Sequence, residues 1–211
     1  MEVVQQSPAV ELEQGTGVKI ARVISLVLHP FLISPLGIVL LLYLDSGRLW
    51  TALGWAGLCA AFVIGPALLY LRHKLQKRHY TDADISVREH RYGYYLFGGA
   101  CMVICFGVLI GLGAPALLIR MFVAAFCGLA TFYLINRFWT KISIHAGAMA
   151  GVTVAVALYS LPLGLLLALG TLLVSWARLV LKRHTLWQAL LGWTVAALCV
   201  LAVLAPNLPL R

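Results

Sequence analysis

The chain has 211 residues, of which 62% are hydrophobic and only 11% are charged. About a quarter of the residues in soluble domains are charged, so this composition excludes an ordinary soluble protein and indicates a membrane protein. Basic residues outnumber acidic ones by 16 to 7, which gives a formal net charge of +9.

Apolar stretches long enough to cross a bilayer recur along the whole chain. A transmembrane helix needs about 20 predominantly apolar residues. Pro30 and Pro35 lie in the first stretch and predict a kink or a partly re-entrant segment. The fifth and sixth stretches are short, and the Leu-Pro-Leu-Gly segment between them is typical of a tight helical hairpin. We therefore predict an all-α, polytopic transmembrane helical bundle of six or seven spans, with seven preferred: 20–44, 50–71, 93–113, 115–136, 146–161, 163–181 and 186–205.

The N-terminal segment differs in composition from the rest of the chain. Residues 1–18 contain Glu2, Glu11 and Glu13, and no basic residue precedes Lys19. This charge pattern is the reverse of the positively charged start of a signal peptide. We expect a flexible polar tail over 1–18 and a single transmembrane helical domain over 19–211.

Basic residues are distributed unequally between the two sides of the predicted bundle. With seven spans, the N-terminus and the loops 72–92, 137–145 and 178–185 lie on one side, which we call the motif side. The other side has only Arg48, Arg120 and Arg211, so 13 of the 16 lysines and arginines belong to the motif side. Basic loops stay in the cytoplasm, which predicts a plasma (inner) membrane protein with its motif side cytoplasmic. Orientation and attraction to anionic lipids explain the net charge without a nucleic-acid partner.

Three polar clusters on the motif side require an explanation beyond topology. In the first, Ser86 and Glu89 have the spacing of a capping box, which predicts a helix that begins near Val87. Arg88 and Arg91 would then share one face of its first turns, where two guanidinium groups can bind phosphate. An ordinary interfacial charge cluster is the alternative interpretation.

The second cluster consists of Lys141, Ser143 and His145, directly before a run of small residues at 146–151. Small residues permit close helix packing. An imidazole at the mouth of such a helix can act as an acid or a base near neutral pH, although a snorkelling interfacial histidine fits the pattern equally well.

The third cluster joins the last two spans. Arg178 ends one span and His184 opens the next. Gln188 follows His184 by one helical turn, so its side chain can accept a hydrogen bond from the imidazole.

Taken in order, these residues resemble the three motifs of the type 2 phosphatidic acid phosphatase superfamily, K-x6-R-P, P-S-G-H and S-R-x5-H-x3-D. Arg91 matches the first motif, Ser143 and His145 match the second, and Arg178 and His184 match the third with its spacing; the resemblance covers 84–188, about half of the chain. Three positions depart from the family pattern: Asp84 replaces the lysine, Ile144 the glycine and Gln188 the aspartate.

The resemblance implies an integral membrane lipid phosphate or diphosphate phosphatase that acts through a phosphohistidine on phosphatidic acid or polyprenyl phosphates. His184 would be the nucleophile, His145 the general acid and base, and Gln188 the group that orients His184. No metal or other cofactor is expected, because cations of the protein would neutralise the phosphate. The phosphate-binding residues would be Arg88, Arg91, Lys141, Ser143 and Arg178.

Other functions remain open. Asp82 and Asp84 could recruit Mg²⁺ and make the protein a prenyl diphosphate transferase or cyclase, although a second aspartate-rich motif is missing from the sequence. A non-catalytic relative that binds lipid phosphates is a further possibility. A transporter is disfavoured by the scarcity of intramembrane charges.

Overall fold

Helices account for nearly all regular structure in the computed structural model, which describes residues 15–85 and 87–207. No strand occurs within these ranges, so the predicted all-α class is confirmed. The same ranges contain eight helices: α1 (Thr16–Val27), α2 (Pro30–Ser46), α3 (Leu49–Gln76), α4 (Arg91–Gly111), α5 (Ala116–Phe138), α6 (Ile144–Tyr159), α7 (Leu161–Val180) and α8 (Leu186–Leu204). A short 3-10 turn, Ala205–Asn207, follows α8.

Among the described residues, five helices are long and apolar enough to cross a membrane: α3, α4, α5, α7 and α8. The pair α1 and α2 is bent by 47° and becomes a sixth span if it is counted as one. Helix α6 has only 16 residues, fewer than a full span requires. By length and composition alone, the described helices therefore give five or six spans. The short α6 is needed as a further crossing if the loops before α4, α6 and α8 are to lie on one side, as in the seven-span prediction.

The bend between α1 and α2 confirms the predicted kink and places it at 28–29. Pro30 occupies the first position of α2, where its missing N–H removes no helical hydrogen bond. The Nδ1 atom of His29 accepts a hydrogen bond from the Phe31 N–H at 3.2 Å and so caps the new helix. Pro35 lies inside α2, which continues past it.

Two other boundaries differ from the sequence-based expectation. Helix α1 begins at Thr16, within the predicted polar tail, while residues 1–14 lie outside the described part of the chain, as does Arg211. Helix α4 begins at Arg91 rather than near Val87. Ser86 of the expected capping box also lies outside the described residues.

Helix α6 lies at the centre of the bundle and packs against α2, α7 and α8. Its first turns are built from small residues, and Ala146, Gly147 and Ala150 are all buried. The predicted hairpin is present, but its turn lies at Ser160, and the Leu-Pro-Leu-Gly segment forms the first turn of α7. Close packing also requires a glycine on α8, because a Cβ atom at Gly192 would lie 2.7 Å from the backbone oxygen of Ser143. Small residues thus hold the start of α6 against α8.

The close approach at Gly192 predicts that Gly192→Ala destabilises the protein by about 1–3 kcal/mol, because the added methyl group would displace backbone. Gly107→Ala is the matched control: Gly107 is also inside a helix, and a Cβ atom there meets nothing within 4 Å. The control should be neutral or stabilising by up to about 1 kcal/mol. Thermal unfolding in detergent measures both variants, and equal melting temperatures would contradict the packing described.

Candidate functional site

The three polar clusters of the sequence meet at one end of the bundle. Arg91 donates from Nη1 to the Ile142 carbonyl oxygen at 3.0 Å, which joins the first cluster to the second. Lys141 donates from Nζ to the Arg183 carbonyl oxygen at 2.9 Å, which joins the second to the third. The loops that precede α4, α6 and α8 therefore form one site on the motif side.

Arg178, near the end of α7, is the most deeply buried cation of this site, with only 1% of its surface exposed. Its Nη1 atom contacts both carboxylate oxygens of Asp84, at 3.1 and 3.3 Å, and donates to Ser25 Oγ at 2.9 Å. Arg183 Nε lies 3.3 Å from the same carboxylate. The Arg178 Nε atom is buried and has no hydrogen-bond partner among the described residues, so it is a donor available to an anion.

Arg91, the first residue of α4, is also buried and binds backbone oxygens on two loops. Besides Ile142, it donates to the carbonyl oxygens of Ile85 at 2.8 Å and Asp84 at 3.4 Å. Ile85 has a φ of 48°, a left-handed conformation that is unfavourable for a β-branched residue. Arg91 therefore holds a strained turn that presents the Asp84 carboxylate to Arg178.

The structure gives Arg88 a different position from the predicted one. Because α4 begins at Arg91, Arg88 lies in the preceding turn and shares no helix face with it. Its Nε and Nη2 atoms donate to the carbonyl oxygens of Asn136 and Arg137 at the end of α5. Arg88 thus satisfies carbonyl groups at a helix C-terminus, a role that the sequence analysis did not foresee.

His184 precedes α8 and is almost fully buried. Its Nδ1 atom lies 3.2 Å from Gln188 Oε1, which confirms the predicted contact. The amide oxygen can only accept, so Nδ1 carries the proton and Nε2 keeps its lone pair. Burial, together with the nearby positive charges of Arg91, Lys141 and Arg178, lowers the pKa of His184 to about 2. His184 is therefore a neutral imidazole with a free lone pair at neutral pH.

Gln188 has a second contact that the sequence analysis missed. Its Oε1 atom also accepts from the Thr185 N–H at 3.2 Å, while Thr185 Oγ1 accepts from the Gln188 N–H at 3.3 Å. This is a capping box, and the Thr-x-x-Gln spacing in the sequence signals it. The start of α8 and the orientation of His184 thus depend on one amide group.

Lys141 lies in the loop between α5 and α6 and is half-buried. Burial, followed by repulsion from the charges of Arg91, Arg178 and Arg183, lowers the pKa of Lys141 to about 8. The amine is therefore charged at neutral pH and loses its charge only one unit above it.

Ser143 and His145 lie at the start of α6, as their spacing predicts. The fully buried Ser143 caps this helix, and its Oγ accepts from the Ala146 N–H at 3.4 Å. The ring of His145 contacts the ring of His29 edge-on, with centroids 4.8 Å apart. His145 Nε2 is buried and has no hydrogen-bond partner in the part of the chain that the structure describes.

His29 and Ser25 are site residues that the sequence analysis missed, because both lie in the first span, far from the motifs. A weak signal was present: proline is typical of the first position of a helix, which places His29 at the N-cap before Pro30. The buried position of Ser25 against Arg178 had no local signal.

Asp82 and Asp84, the residues considered for Mg²⁺, contact arginines instead. Asp82 lies 3.7 Å from Arg183 Nη1 and also accepts from the backbone N–H of Asp84. Over 15–85 and 87–207, no group of three or more histidine, cysteine, aspartate or glutamate side chains is placed to hold a metal ion.

The fold and this cluster together define a multi-pass helical membrane protein with a buried cationic site at one end. Comparison with known protein families, with curated proteins and with solved structures found no match to this chain.

The Asp84–Arg178 pair predicts how the site responds to loss of a carboxylate. Asp84→Asn should destabilise the protein by about 3 kcal/mol or more, because it leaves a buried guanidinium without its counter-charge. Added inorganic phosphate should restore much of that loss by replacing the carboxylate.

Asp82→Asn is the matched control for this prediction. Its contact with Arg183 is longer and more exposed, so the loss should stay within about 1 kcal/mol. Thermal unfolding with and without phosphate measures both variants. Equal effects, or no phosphate response in Asp84→Asn, would contradict an anion site at Arg178.

Proposed function

We propose that this protein is an integral membrane lipid phosphate phosphatase that acts through a phosphohistidine, with its site at the cytoplasmic face of the plasma (inner) membrane. The observation that carries the proposal is His184, a buried neutral imidazole whose Nδ1 is fixed by Gln188 and which is surrounded by Arg91, Lys141 and Arg178. The distribution of basic residues supports the cytoplasmic orientation.

The first chemical step transfers the phosphoryl group to the protein. The Nε2 lone pair of His184 attacks phosphorus, and the bond between phosphorus and the lipid oxygen breaks. The bound phosphate anion gives the buried His145 a counter-charge, so that it takes up a proton from solvent on substrate binding. His145 then gives this proton to the leaving lipid alkoxide. The products of this step are a free lipid alcohol and a protein phosphorylated on His184.

The second step regenerates the protein. His145, now neutral, takes a proton from water, and the resulting hydroxide attacks phosphorus. The N–P bond breaks, inorganic phosphate leaves, and both histidines return to their starting states. One water molecule is consumed for each phosphate released.

Protein cations stabilise the charge that develops on the phosphoryl oxygens. Arg178 Nε and the remaining N–H groups of Arg91 would donate to these oxygens, and Lys141 adds a third charge. Ser143 can add its hydroxyl proton. A phosphate that binds Arg178 takes the place of the Asp84 carboxylate, so the aspartate acts as a counter-charge for the empty site.

Of the alternatives, a non-catalytic binder of lipid phosphates has one observation in its favour. Gln188 is an amide and cannot stabilise an imidazolium as a carboxylate does. Nothing in the described residues favours Mg²⁺-dependent prenyl transfer, because both aspartates contact arginines.

Phosphate release by the purified protein tests the proposal. The panel contains phosphatidic acid, phosphatidylglycerophosphate, and polyprenyl phosphates and diphosphates, each with EDTA and with Mg²⁺. Release should be independent of Mg²⁺ and should fall to background in His184→Ala, whereas the exposed His79→Ala should retain it. Labelled substrate should also leave an acid-labile adduct on the wild type. Substantial phosphate release by His184→Ala would contradict the phosphohistidine mechanism. Binding of a lipid phosphate by the wild type without phosphate release would favour the non-catalytic alternative.

Because the pKa of Lys141 is lowered to about 8, we predict that activity falls on the alkaline side of the pH–rate profile. Lysine is charged below its pKa, so kcat/KM should fall by up to about tenfold per pH unit as pH rises above about 8. In Lys141→Arg, which keeps its charge, kcat/KM should stay level over that range. A pH–rate profile of both proteins checks this, and the same fall in the variant would exclude Lys141 as its source.

A further inference from the structure

A cavity of about 330 Å³ lies within the bundle, and helices α2, α3, α4, α5, α6 and α8 line it. Its lining is apolar apart from Ser34. It includes the π-helical segment Ala60–Ile64 of α3, an irregularity that is frequent at functional sites. A cavity of this size is at the low end of the range for ligand pockets.

One end of the cavity adjoins the cationic site. Pro30 and Ile144 both line it, and they are the chain neighbours of His29 and His145, whose rings are in contact. A molecule in the cavity therefore begins beside the proposed general acid.

The cavity is deep enough for a hydrocarbon chain that reaches past the middle of a bilayer. Its lining runs from Ile144 to Ala155 on α6 and from Leu118 to Phe132 on α5, helical rises of about 16 and about 21 Å. Half of a hydrocarbon core about 30 Å thick is about 15 Å. Two exposed residues, Ser34 and Ala125, lie in the lining, so the cavity is not sealed.

We propose that this cavity binds one hydrocarbon chain of a lipid phosphate drawn from the leaflet on the motif side, with the phosphate at Arg178 and His184. The phosphate end of this inference rests on the proposed function. The chain attaches to the oxygen that His145 protonates, which is consistent with the position of His145 at the cavity mouth. A chain much longer than the cavity must leave it through its open side.

Two glycines offer a matched test of the cavity. Gly128 lines it, and a Cβ atom there meets nothing within 4 Å, so a larger side chain can extend into the space without a clash at Cβ. Gly107 on α4 has equally open surroundings and does not line it. Gly128→Leu should block the chain, and Gly107→Leu should not.

The experiment uses a long-chain alkylphosphonate that carries a diazirine in the middle of its chain, with the wild type and both variants in nanodiscs. A C–P bond cannot be hydrolysed as an ester, so labelling does not depend on turnover. We expect adducts on α2, α5 and α6 within the cavity, about tenfold fewer in Gly128→Leu and an unchanged number in Gly107→Leu, since losing two methylene groups from the site weakens binding about tenfold.

A diazirine-bearing alcohol of the same chain length controls for bulk lipid. Equal cavity labelling by the alcohol, or full labelling of Gly128→Leu, would overturn the inference. Should Gly128→Leu fail to fold, Ala125→Leu repeats the test at an exposed lining residue. Phosphate release by the wild type together with failed labelling would contradict the chain-binding site but not the phosphatase activity. Cavity labelling without any phosphate release would contradict the phosphatase activity but not the chain-binding site.

Discussion

The burial of the Arg178 guanidinium is the constraint on which the motif side depends. A charge with almost no solvent contact needs a partner, and Asp84 supplies it from a loop 94 residues earlier in the chain. That requirement draws the loop before α4 over the end of α7. Arg91 then fixes the loop by donating to three backbone oxygens, and Ser25 of α1 closes the cluster from the other side.

The lengths of the apolar stretches predicted the helical architecture well, because a bilayer restricts a chain to few structures. Apolar length predicted the helices, and the Leu-Pro-Leu-Gly segment predicted the α6–α7 hairpin. The contact between His184 and Gln188 followed from helical spacing alone. These features depend on residues close together in sequence, where local geometry decides.

Features that depend on contacts between residues far apart in the sequence were not predicted. Arg88 donates to carbonyl groups at the C-terminal end of α5, and no local pattern in the sequence reveals these partners. Ser25 and His29 belong to the first span, whose sequence is otherwise typical of an apolar membrane anchor. Only tertiary packing, with α1 against α7 and α2 against α6, brings them to the motif side.

Two positions at which the sequence departs from the motifs that it resembles have a structural role. Ile144 lines the apolar cavity. Gln188 caps α8 and also contacts His184. Both residues therefore contribute to the packing or capping of the helices beside the cationic site.

The contact between Ser25 and Arg178 spans 153 residues, which has a consequence for biogenesis. At roughly 5–20 residues per second, a ribosome needs about 8–30 s after it makes Ser25 to make Arg178. The first span therefore enters the membrane long before its partner exists. The site is completed only when the penultimate helix is inserted, so a nascent chain that stalls earlier has no assembled site.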